Sequence, residues 1–257
     1  MHRKIHLIYF SPTATTRKTL EAITRGTNGT VQSETDLTCR SPEPLPVFGK
    51  DDLVLVGMPV YAGRLPQLAV QRFLPITGND AAVVPVVVYG NRHYDDALIE
   101  LYDCCRKQGF RPVAAGTFLG EHSFSTPQLP LSKGRPDAAD LEKAEAFGRQ
   151  IGTAELKTVP GHRPYKAGKT LTGSATSVDP ERCTACGKCI EICPTQGMSI
   201  NNSVAEADPD NCIWCMACLR FCPADARSLT LEPIRATAQK LNDHFSERRE
   251  PEIFLGQ

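Results

Sequence analysis

The sequence carries no surplus of either charge: Lys plus Arg and Asp plus Glu both total 29 among 257 residues. Without a basic field nothing draws in a phosphate backbone, so no nucleic-acid partner is expected. Long apolar runs are missing as well, and none approaches the roughly 18 residues that a membrane helix requires. The N-terminal stretch MHRKIHLIYFSP has basic residues but too short an apolar core for a signal peptide. It reads as a first strand, and a cytoplasmic protein with no membrane partner is the expectation. Cysteine is scarce over most of the chain, where residues 1–182 hold only Cys39, Cys104 and Cys105. The other eight of the 11 crowd into residues 183–222. A reducing cytoplasm argues against a disulfide framework, so that density points to metal.

The crowded segment is an internal repeat. DPERCTACGKCIEICP starts at Asp179 and DPDNCIWCMACLRFCP at Asp208, an offset of 29 residues. Each contains C-x2-C-x2-C-x3-C-P, the signature of a bacterial-type ferredoxin with two clusters. Three thiolates on a tight loop wrap one cubane, and the fourth reaches across to the other. The pattern therefore assigns Cys183, Cys186, Cys189 and Cys222 to one [4Fe–4S] cluster, and Cys212, Cys215, Cys218 and Cys193 to a second. Zinc would call for paired C-x2-C sets, which identical four-Cys runs ending in Cys-Pro do not match. Between ligands, Trp214 either packs or shields a cluster from water, and Lys188 either solvates the surface or raises a potential. Residues 174–235 hold five Lys/Arg against eight Asp/Glu, a mildly acidic docking face.

Before the repeat, strand-like and helix-like segments alternate. Strands are expected at 4–10, 31–37, 53–57, 82–89 and 112–119, and helices at 16–25, 66–74, 95–108 and 136–151. LVLVG and VVPVVVYG are nearly continuous apolar runs, as strands buried on both faces require. Five such strands alternating with helices imply an α/β fold with a parallel sheet and right-handed crossovers. The expected organisation is an α/β domain over residues 1–155, a linker at 156–173 rich in Pro, Gly and Lys, a small α+β cluster module at 174–235, and a tail at 236–257, helical up to about Phe245.

The first strand leads into YFSPTATTRKT, a Ser/Thr-dense turn that opens a helix. It has neither the Gly-Lys-Ser/Thr of a P-loop nor G-x-G-x-x-G. Ser11, Thr13, Thr15 and Thr16 offer hydroxyl and backbone donors to one anion at a helix N-terminus; alone, the same residues describe an ordinary N-cap equally well. Two later loops tilt the balance. GMPVYAGRLP follows the third strand and YGNRHYDDAL the fourth, placing Tyr61 and Tyr94 at the carboxyl edge of the sheet. In the order 2-1-3-4-5 the winding reverses among strands 1, 3 and 4, and ligands bind there. A two-cluster ferredoxin moves electrons, so a phosphate-bearing redox partner beside it points to a flavin. Both tyrosines are placed to stack on an isoalloxazine, with Gly63, Gly90 and Asn91 letting backbone approach its polar edge.

With these motifs in view, residues 1–155 resemble a flavodoxin, S-P-T-A-T-T standing at its S-x-T-G-x-T phosphate loop. Over nearly its full length the chain resembles the flavodoxin–ferredoxin fusions, or ferrodoxins, through YFSPTATT, PVYAGRLP, YGNRxYDDA, GEHSF, GRPDAxDL and both cysteine runs. The resemblance implies a flavodoxin-like five-stranded sheet of order 2-1-3-4-5 and FMN as the flavin. It places Ser11, Thr13, Ala14, Thr15, Thr16, Pro59, Val60, Tyr61, Ala62, Gly63, Gly90, Asn91, Arg92 and Tyr94 around that FMN. Ala14 departs from the family glycine and Pro12 removes one N–H. The Ala14 backbone is expected to avoid a positive φ, and phosphate binding to be weakened.

Function follows from the cofactors. The leading expectation is an electron carrier that relays electrons from a donor protein through the clusters and FMN to an acceptor. The alternative is an FMN-dependent reductase acting on a small molecule, with the clusters as electron supply. A redox or iron sensor would need an effector or DNA-binding element, and none is visible. His122, after the fifth strand, is the candidate proton donor, its competing role being that of a hydrogen-bonded loop residue. Arg64 and Arg92 either meet an anionic partner or solvate the rim. Cys104 and Cys105 are expected to pack, and oligomeric state stays open.

Overall fold

A computed structural model describes residues 3–169 and 173–257. The N-terminal half alternates β1 (Arg3–Tyr9), α1 (Thr15–Gly26), β2 (Gly29–Asp36), β3 (Asp52–Pro59), α2 (Gln67–Phe73), β4 (Ala82–Tyr89), α3 (Ala97–Lys107), β5 (Arg111–Pro112), β6 (Ala114–Leu119) and α4 (Ala138–Gln150). β1 to β6 pair in parallel in the order β6-β4-β3-β1-β2, with the short β5 beside β4. This is the doubly wound flavodoxin-like order, its expected fifth strand interrupted at Val113. β3 and β4 are buried along nearly their whole length because both faces are covered. α1 and α4 close one face over Leu53, Leu55, Val84 and Val86. α2 and α3 close the other over Val54, Val56, Val83 and Val87.

The cluster module comprises β7 (Thr176–Val178), α5 (Lys188–Glu191), β8 (Met198–Asn201), β9 (Val204–Ala207), α6 (Ala217–Arg220) and β10 (Arg227–Leu229). β7 pairs with β10 and β8 with β9, both antiparallel. The sequence repeat is also a backbone repeat. Left-handed residues recur at the same offset: Ala185 and Trp214 (φ 51° and 58°), Gly187 and Met216 (77° and 60°), Gln196 and Asp225 (57° and 49°). Each run thus coils the same way around its own interior.

Two segments carry structure that the sequence left open. Residues 156–169, within the expected linker, form a strap tied across α3. Buried Asp96 accepts from the backbone N–H groups of His162 (2.9 Å) and Lys166 (2.7 Å). Asp103 holds Arg163 and Tyr165, and the Tyr102 hydroxyl donates to the carbonyls of Leu156 and Lys157. The tail is only partly helical. After α7 (Glu232–His244) it returns to the first domain as β11 (Glu252–Leu255), antiparallel to β6, so the sheet has seven strands instead of five. Arg248 pairs with Asp137 and Asp140, the residues of the α4 capping box, and so ties the returning chain down.

Among the described residues no helix is long and apolar enough to cross a membrane.

Candidate functional site

The Ser11–Thr16 turn joins β1 to α1 at the carboxyl edge of the sheet. Ser11 Oγ accepts from Arg17 N–H (3.1 Å), and Lys18 N–H reaches Ala14 O (3.0 Å). The N–H groups of Thr15 and Thr16, in the first turn of α1, have no intrahelical partner and point out of its N-terminus. Ala14 takes φ 64°, contrary to expectation: it adopts the left-handed conformation that glycine fills most readily. The turn geometry is therefore kept, and the methyl group bears the strain. Thr16 is 1 % exposed, and its hydroxyl is buried without a hydrogen-bond partner. A buried hydroxyl with two free backbone donors beside it, and no cation, fits one end of a phosphate group.

That turn lines the lower end of a cleft together with Pro59, Tyr61, Gly90 and His122. The cleft continues upward past Val60, Tyr61, Ala62, Gly63, Gly90 and Arg92. Two glycines are needed there. A Cβ on Gly90 would lie 2.3 Å from the His122 ring, and one on Gly63, at φ 83°, would lie 2.0 Å from Asp95. Arg92 pairs with Asp95, which also accepts from Lys166 of the strap (2.8 Å). Arg64 is held by Glu100 in a bidentate pair and faces away from the cleft.

His122 reaches both parts of the cleft. Its Nδ1 accepts from Phe124 N–H (3.1 Å), so in the neutral ring the proton sits on Nε2. Burial, and then the Arg92 charge, press its pKa down to about 4. At neutral pH His122 is a hydrogen-bond donor and not an imidazolium acid.

Two expected residues are elsewhere. Tyr94 is 3 % exposed inside the domain, and its hydroxyl donates to Glu252 of β11 (2.9 Å). Asn91 donates to the carbonyls of Phe245 (2.7 Å) and Glu247 (2.6 Å) and accepts from Arg249 N–H (3.2 Å). Both are occupied by the returning tail, which sequence reading did not place against the sheet.

The far wall of the cleft comes from the cluster module and α7. Ile213 and Trp214, between Cys212 and Cys215, close it together with Leu241. The Trp214 indole N–H donates to Gly173 O (2.9 Å). Phe124 packs beside Trp214. From the sequence Trp214 was expected to pack or to shield a cluster, and Phe124 belongs to the GEHSF loop after the fifth strand; Ile213 and Leu241 carry no signal in the sequence. Tyr61 bridges the two parts: burial raises its hydroxyl pKa, and the thiols of Cys215 and Cys212 add to that. At the same junction Arg72 donates to Leu37 and Thr38 on one side and to Pro194 O (2.8 Å) on the other.

The cysteines surround two cavities. Cys183, Cys186, Cys189 and Cys222 line one; Cys193, Cys212, Cys215 and Cys218 line the other. Among the described residues no three His, Cys, Asp or Glu side chains are placed to hold a single metal ion. Four thiols spread around a cavity suit a cluster larger than one ion, and the crossed fourth cysteine follows the two-cluster pattern. Backbone N–H groups of Ala185 and Ala205 bond to the Cys183 sulfur and, followed by the field of Arg227, lower its pKa. The first cavity is the outer one, with Cys186 exposed; the second is the inner one, with Cys215 buried. Ile213 lines both the inner cavity and the cleft.

Comparison with known proteins agrees with this geometry at its C-terminal end. The family model of the 4Fe-4S dicluster domain matches residues 175–223. The chain joins a flavodoxin-like fold to a ferredoxin-type iron–sulfur module. No curated protein matches the sequence. Similar solved structures include a flavodoxin from the domain Archaea (17 % identity over 58 % of this chain and 95 % of that one, TM-score 0.37). A WrbA-like flavodoxin from Agrobacterium tumefaciens aligns at 15 % identity over 58 % and 94 %, TM-score 0.41. Rubredoxin oxygen:oxidoreductase from Desulfovibrio gigas aligns at 14 % over 58 % and 35 %, TM-score 0.38. At such scores the fold assignment rests on the strand order and not on these neighbours.

Proposed function

We propose that this protein is an electron carrier that relays single electrons between two [4Fe–4S] clusters and an FMN in the cleft, and onward to a redox partner. When bound, FMN supplies one- and two-electron chemistry and each cluster one-electron chemistry. One observation carries the reading: the loop holding Cys212 and Cys215 is itself a wall of the cleft, through Ile213 and Trp214. The inner cysteine set thus touches the cleft, and the outer set faces solvent with Cys186 exposed. That order favours a path from a donor protein to the outer set, the inner set, FMN and an acceptor.

The residues have distinct tasks. The N–H groups of Thr15 and Thr16 and the Thr16 hydroxyl bind the phosphate end. Gly63 and Gly90 keep backbone close to the ring. His122 offers an Nε2 proton as a hydrogen-bond donor. Trp214 and Leu241 exclude water from the side facing the inner set. The same residues close one side of the cleft, which favours the carrier over the reductase.

Anaerobic reconstitution followed by iron and flavin analysis tests the proposal. About eight irons and about one FMN per chain are expected. Cys193→Ala and Cys222→Ala should each lose about half of the iron, and from different clusters although both cysteines end a repeat. Cys193→Ala should also alter the flavin absorption band more than Cys222→Ala does. Zinc in place of iron, with no flavin, would refute the proposal.

A further inference from the structure

Arg227 is 6 % exposed, at the start of β10. A guanidinium does not shed its proton, and burying one without a counter-charge is costly. Yet both of its hydrogen bonds go to neutral oxygens, and no carboxylate pairs with it among the described residues. Those two bonds lead to the two cysteine sets. Nη1 donates to Thr176 Oγ1 (3.0 Å), which lies 3.6 Å from Cys218 Sγ in the inner set. A thiolate can only accept, so the Thr176 hydroxyl accepts the guanidinium N–H on a lone pair and donates its own hydrogen toward sulfur. Nη2 donates to Ala205 O (2.7 Å), and Ala205 N–H bonds to Cys183 of the outer set. The Arg227 side chain also lines the outer cavity. By contrast, the other cations of the cysteine runs reach the surface and are already paired: Arg182 with Asp225, Lys188 with Glu191, Arg220 with Glu121.

We propose that Arg227 is the buried counter-charge shared by both clusters, and that it makes both easier to reduce. This rests on the cluster reading of the two cysteine sets. On reduction each cluster gains one electron from a low-potential one-electron reductant, which loses one. Arg227 stays protonated throughout, so no proton accompanies the step. Each added electron increases negative charge beside a fixed positive one in a region with little water, where the attraction is weakly screened. The effect acts on both clusters because one guanidinium reaches both. Thr176 belongs to the inner arm alone. Arg227 is thus a positioning and tuning residue, not a ligand.

The test is an anaerobic potentiometric titration of the reconstituted full-length chain with dithionite, each cluster followed by EPR. Arg227→Met should bind iron as the wild type does, while at fixed ambient potential the reduced-to-oxidised ratio of both clusters falls about tenfold, or 59 mV for one electron. Arg227→Lys keeps the charge and should recover most of the shift. Thr176→Val should lower the ratio for the inner cluster only. Arg182→Gln, which removes an exposed charge, should move either cluster less than about threefold. An Arg227→Met chain with full iron and wild-type potentials overturns the proposal. Should that variant lose iron, the remaining variants decide: Arg227→Lys titrating far from wild type, or Thr176→Val leaving the inner cluster unmoved, overturns it. A wild-type chain that takes up no iron overturns the cluster reading itself, an outcome distinct from these.

Discussion

Replacing Gly148 by Ala should unseat the helix that carries the phosphate turn. α1 and α4 cross at two glycines. A Cβ on Gly148 would lie 2.0 Å from Ile23 O and 3.0 Å from Gly26 Cα, and one on Gly26 would lie 1.9 Å from Glu145 O. The obstacles are backbone atoms, so no rotamer change relieves them, and the helices must part by about 1 Å to restore normal contact. That movement lifts Ala144 and Phe147 from the layer they share with Leu20, Ile23 and the sheet. Overpacking of this kind costs about 1–3 kcal/mol, and the lost contacts add to it. The better helix propensity of Ala returns about 1 kcal/mol. A net loss of about 2 kcal/mol is expected, or roughly 4–8 °C in Tm at this chain length. Urea denaturation of the purified chain, followed by circular dichroism and by the fluorescence of Trp214, measures it. FMN affinity should fall in parallel, because the displaced helix carries Thr15 and Thr16 at its N-terminus. Gly152→Ala, where nothing lies within 4 Å, is the control and should stay within about 0.5 kcal/mol. Gly26→Ala with Gly148→Ala should cost less than the sum of the two, since one separation accommodates both methyl groups. A Gly148→Ala chain as stable as wild type, or more stable, would show that the two helices do not meet backbone to backbone at this glycine, because only the propensity gain would then remain.

Three further outcomes follow from the site. Ala14→Gly relieves a left-handed alanine, worth about 1–2 kcal/mol, against about 0.4–1 kcal/mol for greater chain freedom; denaturant midpoints should rise slightly, and a clear fall would mean that the turn is not left-handed in solution. Asn91→Gly suits the local φ of 66° but removes three bonds to the tail, so residues 246–257 should become the first site of limited proteolysis, with a stability loss of about 2–3 kcal/mol. His122 has a folded pKa near 4 against an ordinary 6.5, so the unfolded chain takes up its proton first as pH falls. Stability should therefore decline from about pH 6.5 down to about pH 4, by about 2 kcal/mol once its partial exposure is allowed for, and His122→Gln should flatten that slope in pH-dependent urea titrations.

Features coded within a few residues are legible in the chain alone. Cysteine spacing specifies the cluster loops because each coils within one short segment, and the repeat recurs down to its left-handed residues. The alternation of apolar runs with helical segments implied the parallel order, since crossover handedness leaves few arrangements. The Ser/Thr turn was visible because its donors are neighbours in the chain. Tertiary structure decided what depends on distant segments. EIFL has no local mark of an edge strand, and only its pairing with β6 diverts Tyr94 and Asn91 from the flavin site to the tail. Ala14 keeps a left-handed turn because the surrounding bonds over-determine its backbone, which propensity does not reveal. Trp214 becomes a wall of the cleft only because the module folds back against the sheet, and Arg227 a charge between two cysteine sets only because β10 returns to pair with β7. Local periodicity encodes which face of an element is apolar; which partner covers that face is settled by packing across more than a hundred residues of chain.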